Sequence, residues 1–284
     1  MYPSSFDYSA PSTVEEAVRL LAEHGENAKL LAGGHSLLPL MKLRFTQPAH
    51  VVDLRRIPTL RGVRRDGASL VIGAMTTYTE LASSAEIRDG APIITDAASQ
   101  IGDPQVRNRG TIGGSLAHAD PNADLPAVML ALGATLIAAG PSGRRAISAD
   151  EFFVGLFTTA LSGGELLTEI RVPIPASRSG GAYVKHPQPA SRFALVGVAA
   201  TVELERMSTR VQRARIAVTG LGNTPLRAIA IEEALTGRPL DAETIRSAAG
   251  RLIDLPDAEQ RPHLMQLARV SSEQALRRAA ERAQ

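Results

Sequence analysis

Ala32-Gly33-Gly34-His35-Ser36, entered from the apolar run Lys29 to Leu31, sets two adjacent glycines at the end of a strand-like segment. Further along the chain, Thr111-Ile112-Gly113-Gly114-Ser115 repeats the arrangement. Glycine has no Cβ, so the backbone at such a pair takes positive φ and lets a ligand come close, with consecutive N–H groups aimed into one concavity. A nest of that kind suits a phosphate. Two nests that converge suit a pyrophosphate, with the Ser36, Thr111 and Ser115 hydroxyls completing the shell. Neither loop carries a lysine, so charge neutralisation would rest on backbone dipoles. Each loop taken alone reads at least as well as an ordinary tight turn.

Other nucleotide and catalytic motifs fail against this sequence. No G-x-x-x-x-G-K-[ST] is present, which excludes a P-loop. Gly220-Leu221-Gly222 begins like a dinucleotide fingerprint, but Pro225 stands where the third glycine belongs and denies close helix–strand packing. Gly34-His35-Ser36 begins like a nucleophile elbow, but Leu38 occupies the closing glycine position. His118, Asp120 and Asp124 match no zinc-ligand spacing, and Pro121-Asn122 reads as a turn. Asp124 also reads as the N-cap of a helix beginning at Leu125.

Outward from the loops, the elements alternate. Ser12-Thr13-Val14-Glu15 predicts a capping box at a helix start, with Val14, Ala17, Val18 and Leu21 on one stripe and Gly25 as the stop. Strands are expected at Val51–Leu54, Leu70–Ile72 and Leu166–Val172, and a hairpin over Ala134–Ile147. Helices are expected over Pro92–Ile101 and Leu125–Leu132, the second closed by Gly133. Pro173 to Gly181, rich in Pro, Ser and Gly, reads as a linker. Beyond it, Val196 to Leu204 and Ala214 to Val218 alternate as half-buried strands. A stripe at Ile245, Ala248, Ala249 and Leu252 and a final helix over Glu273–Ala283 follow, which predicts an α+β C-terminal domain with an antiparallel sheet.

Composition narrows the function classes. The 284 residues carry 31 Lys+Arg against 29 Asp+Glu, a net +2 that does not suggest nucleic acid as a partner. With 0 Cys, the chain supplies no thiol nucleophile, disulfide, cysteine zinc site or iron–sulfur ligation. No stretch reaches the length of a membrane span and Met1 to Pro11 is no secretory signal, so a cytoplasmic protein with at most peripheral membrane association is expected.

Ala32-Gly33-Gly34-His35-Ser36-Leu37-Leu38-Pro39, continued by Leu40-Met41-Lys42-Leu43-Arg44, resembles the first FAD loop of medium subunits in the carbon monoxide dehydrogenase / xanthine dehydrogenase family of molybdenum hydroxylases. Thr111-Ile112-Gly113-Gly114-Ser115, with Asp120-Pro121 and Asp124 after it, resembles the second. Phe152-Phe153-Val154-Gly155, Leu161, Leu167–Pro173 and Tyr183-Val184-Lys185 extend the similarity over essentially the whole chain. The resemblance implies an α+β fold: a two-subdomain FAD-binding domain of the vanillyl-alcohol-oxidase/PCMH type over 1–175 (subdomains about 1–57 and 58–175), then a C-terminal domain over 176–284.

By the same resemblance, Ala32, Gly33, Gly34, His35 and Ser36 together with Thr111, Ile112, Gly113, Gly114 and Ser115 clamp the pyrophosphate of non-covalent FAD through backbone amides. Asp124 hydrogen-bonds the cofactor, and Ile101, Leu161 and Lys185 lie along it. Two positions depart from the pattern. Phe193-Ala194 stands where many relatives have Tyr-Ala, which keeps an aromatic face but removes a donor. Ser115 replaces a frequent Asn or Asp. The implied role is a flavoprotein subunit that receives electrons from [2Fe-2S] clusters of a small subunit, after oxidation at a molybdenum cofactor in a large subunit, in a dimer of heterotrimers. No acid, base or nucleophile of this chain is expected to be catalytic. The alternatives are a stand-alone FAD-dependent oxidoreductase on the same fold and a non-catalytic scaffold that has lost flavin.

Overall fold

Thr13, rather than Ser12, caps the first helix of the computed structural model, which describes residues 2–175, 177–252 and 261–284. The Thr13 hydroxyl accepts from the Glu16 N–H at 3.1 Å, and the Glu16 carboxylate accepts from the Ser12 N–H at 2.9 Å. The expected box is displaced by one residue. Helix α1 (Val14–His24) then buries Val14, Ala17 and Leu21, and Gly25 closes it at φ 53°.

Strand β1 (Asp7–Ser9) precedes α1, and β2 (Ala28–Leu31) follows it. Together with β3 (His50–Asp53) they form a parallel sheet in the order β1-β3-β2. The first glycine loop leaves the end of β2 and enters the short helix α2 (Leu37–Lys42).

The second sheet is antiparallel, in the order β4-β5-β10-β6-β7: β4 (Val63–Asp66), β5 (Ser69–Gly73), β6 (Thr135–Gly140), β7 (Gly143–Ser148) and β10 (Leu166–Pro173). Between β5 and β6 the chain forms α3 (Tyr78–Ser83), α4 (Ala85–Gly90), α5 (Pro92–Gln100), α6 (Pro104–Arg107), α7 (Ile112–His118) and α8 (Asp124–Leu132). Between β7 and β10 lie α9 (Ala149–Phe152) and a small hairpin, β8 (Phe153–Gly155) with β9 (Thr158–Thr159). Every residue of α8 from Asp124 to Ala131 is buried, as befits a helix that is apolar nearly all round. It packs in one core with Ile170 of the second sheet and with Tyr183, Ala199 and Ala217 beyond it.

Those last residues belong to the third sheet, antiparallel in the order β11-β12-β13-β14: β11 (Ser179–Pro187), β12 (Ala194–Leu204), β13 (Val211–Thr219) and β14 (Leu226–Arg227). Helices α10 (Ile229–Leu235), α11 (Ala242–Ala249) and α12 (Pro262–Ala283) follow. Three expectations need correction here. The linker read over Pro173 to Gly181 shortens, because Ser179, Gly180 and Gly181 already pair with Glu203, Val202 and Thr201. Strand β12 is not half-buried: Ala199 faces the α8 core while Val198 and Ala200 face a second core that includes α12. The last helix starts at Pro262, well before Glu273.

The physical reason for the last two is α12 itself. Its buried face is Ala268, Ser271, Ser272, Ala275, Leu276, Ala279, Ala280 and Ala283, all small but for Leu276 and too weakly apolar to show as a hydrophobic stripe. Small residues let the backbones approach: a Cβ on Gly180 would collide with the Ala279 carbonyl oxygen and lie 2.8 Å from the Ala283 nitrogen. The Gly180-Gly181 pair marks close helix–strand packing, where a linker was expected. Among the described residues no helix is long and apolar enough to cross a membrane.

Candidate functional site: a cavity shared by two glycine loops

The first loop exits β2 with Gly34 at φ 81°, a left-handed conformation that favours glycine. That geometry turns a run of backbone donors outward. Among the described residues, the N–H groups of Gly33, Gly34, His35, Ser36 and Leu37 have no protein acceptor, and Leu38 is the first to bond back, to the Gly34 carbonyl at 3.0 Å. All five residues line one cavity of about 570 Å³, within the range of small-molecule and cofactor sites.

The second loop lines the same cavity but is built differently. Thr111 is the N-cap of α7, and the amides expected to form a second nest are already used. Ile112 N–H donates to Thr76 O at 3.0 Å, Gly113 N–H to Ala74 O at 2.8 Å, and Ser115 N–H to Thr111 O at 3.0 Å. Gly114 N–H donates to Thr111 Oγ1 at 3.2 Å. What this loop presents to the cavity is hydroxyl chemistry, from Thr111 and Ser115. Its glycines serve packing: a Cβ on Gly113 would lie 2.7 Å from Ala74 O, and one on Gly114 would lie 3.3 Å from Ala32 Cβ.

The two loops touch. A Cβ on Gly33 would collide with the Arg109 carbonyl oxygen and sit 2.8 Å from Gly110 Cα. The tight-turn reading of each loop thus gives way to a single cradle, made by close backbone packing between segments from two sheets.

Asp124 lines the same cavity. It is not the N-cap of α8, a place taken by Ala123, but the first helical residue, and its side chain makes no cap. Its carboxylate, 4% exposed, accepts from Tyr183 Oη at 2.6 Å and from Lys185 Nζ at 2.9 Å. Burial pushes the Asp124 carboxyl up, while Lys185 and the Tyr183 hydroxyl oppose the shift. Tyr183, fully buried, is held well above the usual phenol range by burial and by the Asp124 charge.

Of the residues expected from sequence, Ala32, Gly33, Gly34, His35, Ser36, Ile101, Thr111, Gly113, Gly114, Ser115 and Asp124 line the cavity. Three do not. Ile112 points into the core, fully buried. Leu161 packs against that same core. Lys185 meets the lining through Asp124, and its ammonium also donates to Gln100 O, behind the cavity, at 3.3 Å.

Sequence reasoning missed several wall residues. Tyr78 on α3 lines the cavity with the Ser115 hydroxyl beside it, and burial pushes its pKa up to about 12, so it is a neutral donor. His118, weighed in the sequence only as a metal ligand, packs against Phe157 with the rings tilted by 40° and centroids 5.1 Å apart. Its pKa is lowered by burial, with Asp120 opposing. Arg192 reaches the cavity from the β11–β12 connection beside Phe193, the one aromatic of this wall that the sequence resemblance to the family marks, and Asn122 anchors the segment by donating to Ala194 O at 2.8 Å. Only a motif made of chain neighbours is visible in a sequence, and Tyr78 and Arg192 belong to none.

Comparison with known proteins places this geometry in a family. Residues 4–175 match the family model of the FAD binding domain in molybdopterin dehydrogenase. Residues 181–266 match that of the CO dehydrogenase flavoprotein C-terminal domain. The chain belongs to this family. It therefore carries the family's FAD-binding domain and is the flavoprotein component of an oxidoreductase. It is 46% identical over 253 residues to the carbon monoxide dehydrogenase medium chain of Hydrogenophaga pseudoflava, covering 89% of this chain and 88% of that one. A solved structure of that organism's carbon monoxide dehydrogenase, lacking the Mo-pyranopterin moiety of its molybdenum cofactor, superposes with a TM-score of 0.93 at 44% identity and covers 99% of both chains. Quinoline 2-oxidoreductase from Pseudomonas putida 86 superposes with a TM-score of 0.91 at 32% identity, over 100% of this chain and 99% of that one. Both superpositions run over essentially the whole of this chain, so its fold is shared from end to end.

Proposed function

We propose that this chain is the FAD-carrying electron-transfer subunit of a molybdenum hydroxylase. It would take electrons from iron–sulfur clusters on a small partner subunit and deliver them, through the flavin, to an external acceptor. The observation that carries the reading is the run of five unpaired amides, Gly33 to Leu37, on a cavity shared with a second loop, in a chain whose family model names FAD. Consecutive N–H groups of that kind recognise an anionic oxygen cluster such as a diphosphate.

Bound FAD supplies the redox chemistry, and the protein positions and tunes it. In this reading Gly33 to Leu37 donate to the diphosphate, and Thr111 and Ser115 add hydroxyl donors. The clamp is asymmetric: one side is backbone, the other side chain. Asp124 accepts from hydroxyl groups of the cofactor, and Ile101 and Phe193 supply apolar walls. Leu161 and Lys185 support the site from behind. No residue of the chain is assigned as acid, base or nucleophile. Residues 1–175 would form the FAD-binding domain, with subdomains about 1–57 and 58–175, and 176–284 the C-terminal domain. The relatives' names, which are those of medium chains and of subunits of complexes, support a large molybdenum-cofactor subunit as the second partner; the assembly proposed is a cytoplasmic dimer of heterotrimers.

The test is co-purification from the native host. The expected result is a yellow chain with one FAD, accompanied by two further polypeptides carrying molybdenum and iron. A chain that takes up no FAD on titration overturns the cofactor assignment. A yellow chain that purifies alone and oxidises a substrate unaided overturns the subunit assignment.

A further inference from the structure

Tyr183 lies outside the cavity, yet it touches a buried carboxylate that lines it, that of Asp124. Its ring is fully buried on β11, and its hydroxyl donates to Asp124 Oδ1 at 2.6 Å. Lys185, two residues along the same strand face, holds the same carboxylate at 2.9 Å, with only 1% of its own side chain exposed. The fold makes room for this hydroxyl deliberately: a Cβ at residue 197 on the neighbouring strand would collide with Tyr183 Oη, and Gly197 stands there. A buried phenol, a glycine notch opposite it and a carboxylate facing the cavity form one connected arrangement. It also crosses the molecule, since Asp124 belongs to the segment between the second sheet's strands and Tyr183 to the third sheet.

We infer that Tyr183 is a positioning residue for cofactor binding, fixing the rotamer of the Asp124 carboxylate so that its remaining lone pairs face hydroxyl donors of the ligand. This rests on the assignment of FAD to the cavity. A carboxylate has about four acceptor sites. Tyr183 and Lys185 use part of that capacity, and the residue lines the cavity with the remainder. Without the phenol, the carboxylate keeps its ammonium partner but loses the short bond that fixes its plane, and hydrogen bonds to charged groups are the stronger kind.

The experiment is a double-mutant cycle on the affinity of the full chain for FAD, read by calorimetric titration of the FAD-free protein. Tyr183→Phe removes one oxygen and is expected to raise the FAD dissociation constant about tenfold, the scale of one charge-assisted bond. In the Asp124→Asn background the same change is expected to have an effect near onefold, because there is no carboxylate left to position. An equal factor in both backgrounds, or no change in the wild-type background, overturns the inference and leaves Tyr183 a packing residue. Should Asp124→Asn fail to fold, the crystal structure of FAD-loaded Tyr183→Phe decides: a displaced Asp124 carboxylate supports positioning, and an unmoved one overturns it. Absence of any FAD binding by the wild-type chain would instead strike the underlying cofactor assignment, which keeps the two failures apart.

Discussion

A single methyl group measures how closely the two glycine loops meet. Even the smallest side chain on Gly33 collides with the Arg109 carbonyl oxygen, and backbone on either side cannot step aside cheaply. Gly33→Val is therefore expected to part the loops and abolish FAD retention, seen as loss of flavin absorbance after gel filtration. A variant that keeps one FAD per chain would contradict the cradle. His118 makes a different residue-scale prediction. Burial lowers its pKa below the ordinary 6.5, so the folded chain takes up that proton later than the unfolded chain. The fold then loses stability as pH falls from about 6.5 through the lower folded value, with no contribution from this group above that range. Urea unfolding at pH 7.5 and pH 5 should show that loss, and His118→Gln should flatten it.

At the scale of elements, α12 against β11 decides whether the third sheet can be buried on both faces. Helix and strand approach until Gly180 has no room for a side chain. Gly180→Ala is expected to push α12 outward at a cost of about 1–3 kcal/mol, the usual range for overpacking a tight interface. Thermal unfolding followed by circular dichroism would register it as a lower midpoint with unchanged helix content. The second loop shows how an element changes the meaning of a motif. Thr111-Ile112-Gly113-Gly114-Ser115 has the composition of an anion nest, but Thr111 caps α7 and the following amides bond within the protein. Its contribution to the cavity moves from backbone to hydroxyl groups.

Across the whole molecule, the cavity depends on the third sheet as well as on the loops. Tyr183 and Lys185 of β11 hold Asp124, while Arg192 and Phe193 reach the cavity wall from the next connection. Two further ion pairs join the same parts: Arg215 donates to both oxygens of Asp150, and Arg282 to Asp96. A chain cut after residue 175 would leave Asp124 without either donor and would uncover the apolar helix α8. We expect this 1–175 fragment to lose FAD on gel filtration and to aggregate through the exposed α8 face. Stoichiometric flavin on a soluble 1–175 fragment would show that the third sheet is dispensable to the site.

Local signals were legible in the sequence because they are made by chain neighbours. Gly25 and Gly133 end helices α1 and α8 as their positions predict, the β6–β7 hairpin forms about its Gly-Pro-Ser-Gly turn, and the run Ala32 to Ser36 presents the unpaired amides its composition suggested. Other features exist only once distant segments meet. Small residues on α12 carry no hydrophobic stripe, so nothing along the chain announces that they bury a sheet. Thr111 becomes a cap, and Asp124 a carboxylate held from β11, through contacts whose partners are far away in sequence. Tyr78, His118 and Arg192 join the lining of one cavity for the same reason. Spacing along a polypeptide encodes turns, caps and periodic faces, whereas a cavity wall is assembled by packing, and packing is a property of the folded chain.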